Sequence, residues 1–181
     1  MSYVLRAIIA PEHVLSRPLA WLADSRVIAL PQGMAMIPLS RALREQYGPS
    51  ERPWLYEKHG ETWLPQALVP VLEELSRHGT VAYVESEYHG GDGEQCSIVW
   101  RDGERIDAEH GSYAVNSALG RLGVEREEGR DLFDTLGLGR QRSVEDWLEP
   151  PAPPRPGPAA EPPPQPSPQL PPARPWWQFW R

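Results

Sequence analysis

The sequence predicts an α+β domain followed by a proline-rich tail, and three observations carry that expectation. Residues 80–89 and 94–101 alternate in polarity around Gly90-Gly91-Asp92-Gly93 and read as adjacent antiparallel strands. Apolar residues recur at helical spacing before them, over residues 64–77, and after them, over residues 112–122. Fourteen of the 22 prolines fall within residues 150–181, and a residue with fixed φ and no N–H donor at that density excludes helix and central strand. Consecutive antiparallel strands packed with several helices favour α+β over a doubly wound parallel sheet.

Each element has its own local reason. Residues 2–10 are apolar and β-branched, which predicts a first strand. Pro11 then starts a helix with Glu12 in its first turn. Val14, Leu15, Leu19 and Leu22 give it an apolar stripe, and Pro18 kinks or restarts it. Residues 26–30 and 34–39 flank Pro31-Gln32-Gly33, a turn signal that predicts a hairpin. Ser40 caps a short helix running through Tyr47. After a loop at residues 48–53, Trp54, Leu55 and Trp63 are expected to cover an edge of the core.

Leu64, Leu68, Val71, Leu72 and Leu75 define the next helix, closed by His78 with Gly79 at the C′ position. In the hairpin that follows, Ala82, Val84, Ser86 and Tyr88 alternate with Tyr83, Glu85, Glu87 and His89. Cys96, Ile98 and Trp100 alternate with Gln95, Ser97 and Val99, and the apolar sets are expected on one common face. Asp102-Gly103 turns the chain into a third strand over residues 104–108, completing a meander. Ala114, Val115, Ala118, Leu119 and Leu122 face inward from the following helix, and residues 131–136 form a short one. Ser143-Val144-Glu145-Asp146 resembles a capping box with Asp in the last place, ahead of Trp147 and Leu148.

Charge divides the chain where the prolines do. Arg155, Arg174 and Arg181 against Glu161 give the tail a net of +2, so the total of −7 leaves −9 on residues 1–149. An acidic domain is a poor ligand for nucleic acid, which needs clustered Lys and Arg for its phosphates. It suits a basic protein and speeds encounter with one. The single cysteine, Cys96, excludes an internal disulfide and a cysteine zinc cluster. The first apolar run lacks a basic region before it and is too short to span a bilayer. A cytoplasmic location is the expectation, peripheral to the inner membrane surface if the tail meets lipid.

Four residues form a candidate acidic face. Glu85, Glu87 and His89 recur at period two on one side of a strand, with Asp92 in the turn beyond. Neighbouring same-face side chains on a strand lie about 6.5–7 Å apart, a spacing that serves acid/base chemistry or, with His, a metal. A solvated outer sheet face produces the same pattern and is the stronger expectation, so no catalytic residue, metal or cofactor is assigned. The Gly90–93 run joins two strands, whereas a phosphate cradle needs a strand-to-helix turn. Arg140 and Arg142 lie among glycines and are expected to pair with the domain's own carboxylates. Cys96, alternating with Ile98 and Trp100, reads as a small core residue.

Residues 150–175 read as an extended, disordered polyproline II linker, about 80 Å long at ~3.1 Å per residue. At its end Trp176, Trp177, Phe179, Trp180 and Arg181 form a candidate docking segment of the residue types that dominate interface hot spots. The domain plan is therefore residues 1–149, 150–175 and 176–181. The functional expectation is a non-enzymatic interaction protein with a protein partner, its acidic domain on a basic target and its aromatic tip on a second surface. The tip's other occupants are the chain's own domain, a second copy, giving an oligomer by tail docking, or a membrane surface. An enzyme using Glu85, Glu87 and His89 is the alternative. In size and composition the domain is similar in style to bacterial immunity proteins that neutralise toxins, a likeness of class without a shared motif, and it implies an inhibitory role.

Overall fold

The computed structural model describes residues 2–17, 25–47 and 64–149. Backbone contacts divide the chain into two units, Met1–Glu149 and Pro150–Arg181, and the description below concerns the first. Residues 18–24 and 48–63, with the expected roles of Pro18, Leu19, Leu22, Trp54, Leu55 and Trp63, lie outside the described residues.

The unit is an α+β fold built on a six-stranded antiparallel sheet. Its strands are β1 (Ser2–Pro11), β2 (Ile28–Ala29), β3 (Met34–Pro38), β4 (Val81–His89), β5 (Asp92–Arg101) and β6 (Glu104–His110). They lie in the order β2-β3-β1-β4-β5-β6. The helices are α1 (Glu12–Leu15), α2 (Arg41–Gln46), α3 (Val69–Ser76), α4 (Ala114–Arg121) and α5 (Leu132–Thr135). Strand β1 pairs with β4 from Ser2↔His89 to Ile9↔Ala82 and with β3 from Ala7↔Pro38 to Pro11↔Met34.

Local chemistry sets the element ends. The Ser40 hydroxyl accepts the Leu43 N–H at 3.2 Å and starts α2. Asp131 accepts the Asp134 N–H at 2.8 Å and starts α5. Ser143 and Asp146 cap each other's N–H groups at 2.9 and 3.2 Å, so the shorter Asp closes a capping box. Pro65 and Pro70 hold residues 66–68 in a 3-10 turn and delay α3 until Val69. The C-cap of α3 is Arg77, which puts Gly79 one residue beyond the expected C′ place. Its φ of +154° and the 2.7 Å that would separate an added Cβ from the Val14 Cγ2 both call for glycine there. At the next turn Asp102 and Gly103 have φ of 55° and 84°, the primed-turn geometry of a tight hairpin. The N–H groups of both bond to Ser76, at 3.0 and 2.9 Å, tying α3 to the β5–β6 turn.

Both sheet faces are covered. One carries Leu5, Ala7, Ile9, Ala82, Val84 and Val99 against Val115, Ala118 and Leu119 of α4, with Leu136, Leu138 and Trp147. The other carries Ile8, Ala10, Val81, Tyr83, Ile98 and Trp100 against Val14 and Leu15 of α1, Leu43 of α2 and Leu72 and Leu75 of α3. This corrects the expectation of one apolar and one solvated face. The register pairs Trp100 with Val81, Ile98 with Tyr83 and Cys96 with Glu85. The β5 apolar set therefore shares a face with the Glu85 row and lies opposite Ala82 and Val84. Cys96 is buried, as expected.

Tyr3 closes the α5 side of the first core. Its ring meets Phe133 edge-on at 5.8 Å, and its hydroxyl donates to the Leu138 carbonyl at 3.1 Å. Burial pushes the phenol well above the usual tyrosine range, partly offset by Arg142. A raised folded-state value favours the protonated native form, so this contribution is complete below an unfolded value of about 10 and is lost as pH rises beyond it. Tyr3→Phe is expected to cost about 1 kcal/mol at neutral pH. Above pH ~10 its stability should fall less steeply than the parent's, by up to about 1.4 kcal/mol per pH unit; urea unfolding at stepped pH checks this.

Candidate functional site

Beyond the reach of α1–α3, the second sheet face changes character. Moving along the strands from Tyr83 and Ile98, the next row is Arg6, Glu85, Cys96 and His110, and the one after holds Val4, Glu87 and Glu94. Period two sets this composition, since the same alternation that sends Ile8 and Tyr83 into the core sends Arg6 and Glu85 to the same side one step further on.

The polar rows are internally satisfied. Glu87 is held from both sides, by Arg6 Nη2 on Oε2 at 2.6 Å and His89 Nε2 on Oε1 at 3.0 Å. Glu94 Oε2 meets His110 Nε2 at 3.2 Å. Glu85, 8% exposed, accepts from the Tyr83 hydroxyl. Arg6, Glu85, Glu87, Glu94, Cys96 and His110 line a small pocket. On the opposite face Gln95 fixes the frame, donating to Tyr88 at 3.2 Å and accepting the Val115 N–H at 3.3 Å, which anchors α4.

The expected acidic face is thus only partly a solvated one. Glu85 is buried and accepts from the neighbouring Tyr83 hydroxyl. Glu87 is half-exposed and joined to the more exposed His89, while Asp92 is exposed at the start of β5 beside the turn. The pocket takes its histidine from β6 and its cation from β1. Arg6 had a signal in the sequence as the lone charge within residues 2–11. Glu94 had none, since its meeting with His110 depends on the β4–β5–β6 register. Among the described residues no group of three or more His, Cys, Asp or Glu side chains is placed to hold a metal ion. Arg140 departs from expectation, donating to the Gly137 carbonyl at 3.0 Å and lying 5.1 Å over the Trp147 ring. The candidate tip residues Trp176, Trp177, Phe179, Trp180 and Arg181 lie outside the described residues.

Around the pocket the surface is strongly negative. Residues 81–110 hold eight carboxylates against Arg101 and Arg105, a net of −6. Glu94, Glu104, Asp92 and Asp102 are exposed, and Asp107 pairs with Arg121 of α4. No family model matches this chain, and no curated protein or solved structure matches it. Among the described residues no helix is long and apolar enough to cross a membrane.

Arg6 is nearly buried and Glu87 half-exposed, 13% and 43% by side chain, so their pair sits between a screened surface bridge and a buried one. A double-mutant cycle with Arg6→Met and Glu87→Gln should give a coupling of about 1 kcal/mol. Arg6→Met alone should cost about 1–3 kcal/mol, because it leaves Glu87 beside Glu85 and Glu94 without its cation. Urea unfolding of the four proteins measures both quantities.

Proposed function

We propose that this chain is a non-enzymatic protein-interaction module whose acidic domain engages a basic protein target, in the manner of an inhibitory or immunity-type protein. The observation that carries the reading is the concentration of negative charge on the β4–β5–β6 meander, a net of −6 within residues 81–110. Held on a sheet, these carboxylates present a fixed field to an incoming cationic surface, which raises association rates and sets orientation. The double engagement of Glu87 supports binding over catalysis, since a carboxylate clamped between Arg6 and His89 is a poor free base.

The tail completes the proposal on sequence grounds. Residues 150–175 serve as an extended, disordered spacer, and Trp176, Trp177, Phe179, Trp180 and Arg181 as a tethered anchor for a second surface, which raises the effective concentration of the domain at its target. A peripheral-membrane role rests on that tip alone.

A second reading has the pocket behind it: Glu85 and Glu87, joined by His110 of β6 and near His89, form an acid/base site. Binding and turnover separate the two. With the co-purifying partner in hand, neutralising Glu104→Gln together with Glu109→Gln should lower the association rate roughly tenfold at low salt and leave dissociation nearly unchanged. Stopped-flow or biosensor kinetics read this directly, and rates insensitive to both charge and salt would contradict the reading.

A further inference from the structure

The sheet ends on one side at β6. Among the described residues β6 pairs with β5 and with no other strand. Which of its amides face outward follows from the ladder. The Gly111 N–H donates to the Gln95 carbonyl at 2.9 Å, and antiparallel residue pairs alternate between those that exchange hydrogen bonds and those that do not. Carried through His110↔Cys96, Glu109↔Ser97, Ala108↔Ile98 and Asp107↔Val99, this alternation turns the amides of Glu109 and Asp107 toward β5. The amides of Ala108 and His110 point away from the sheet.

Side chains mark the same edge. The register shifts between Val99 and Trp100, so Ile106 has no residue opposite it and stands 42% exposed. Tyr113, just past the strand, is 78% exposed. Only one other large hydrophobic, Val27, is comparably exposed among the described residues. These two apolar side chains lie on and just past a strand whose charged side chains, Glu104, Asp107 and Glu109 against Arg105, sum to −2.

We propose that β6 is a docking edge that takes an extended, arginine- or lysine-bearing segment of a partner protein as an added strand. The proposal rests on the interaction reading above and gives it a location and a binding mode. Main-chain hydrogen bonds to Ala108 and His110 would supply the pairing, and alternate basic side chains of the segment would meet Glu104 and Glu109. Ile106 and Tyr113 would hold its apolar residues. Charge selects this occupant over a second copy, because two β6 edges would bring −2 against −2, the arrangement by which natural sheets discourage edge-to-edge pairing.

Two fluorescein-labelled peptides of equal charge test it, one alternating arginine with valine and one alternating arginine with proline. Each is titrated with the full chain and followed by anisotropy. The valine peptide should bind at least tenfold more tightly than the proline peptide, which cannot complete a ladder. Ala108→Pro removes an outward donor and spares the bonds to β5, so it should abolish that difference while the thermal transition is retained. If it fails to fold, the comparison of peptides on the parent chain decides alone. Equal binding of the two peptides, or undiminished preference in a folded Ala108→Pro, overturns the edge and leaves the electrostatic reading standing. Absence of binding by either peptide overturns both. A parent dimer that Ala108→Pro dissociates in sedimentation assigns the edge to a second copy and overturns the proposal.

Discussion

The pairing of β1 with β4 is the constraint from which the rest of the unit follows. These strands come from opposite ends of the first ninety residues, and each is buried on both faces over most of its length, with Leu5, Ala7, Ile8, Ile9, Ala82, Tyr83 and Val84 at 0% exposure. A strand covered on both faces needs two separate layers to cover it. The chain between β1 and β4 supplies one, α1–α3, and the chain after β6 supplies the other, α4 and α5. Sequence order thus assigns each helix to a face, and β2–β3 and β5–β6 extend the sheet on either side.

The two layers do not cover the strands equally, and the polar rows mark where cover runs out. Past Tyr83 and Ile98 polar side chains predominate, with Arg6, Glu85, Glu87, Glu94 and His110 joined by Cys96 and Val4. Most of this cluster is engaged within itself, Glu87 with Arg6 and His89, Glu94 with His110. Among the described residues of the meander the carboxylates without an ion pair lie further out, on the turns and on β6, where Glu104 is exposed and Glu109 partly so. On the proposed reading, stability and recognition are separated in space: the central strands hold the fold, and the acidic rim is the surface offered to another molecule.

Much of the fold was legible because it depends on local chemistry. The caps at Ser40 and Ser143, the meander, and the inward residues of α4 all follow from spacing and side-chain type. The facing of β5 was not, because a doubly covered sheet places apolar residues at both parities and alternation then loses its meaning. The site was half legible for the same reason. Glu85 and Glu87 declared themselves as charges inside an apolar alternation, whereas Glu94 and His110 are brought together by strand pairing that no single segment encodes. Arg140 went astray because Trp147, seven residues on, competed with carboxylates for its guanidinium.

Amide hydrogen exchange on the full chain tests the central claim most directly, that a rigid, doubly covered sheet ends at β6 in outward amides with no strand partner among the described residues. The account predicts slow exchange, approaching global unfolding, for the paired amides of β1 and β4. Along β6 it predicts alternation, with Asp107 and Glu109 protected through β5 and Ala108 and His110 exchanging at nearly open-chain rates. Uniform protection along β6 would mean that the edge is already covered, and would contradict the account.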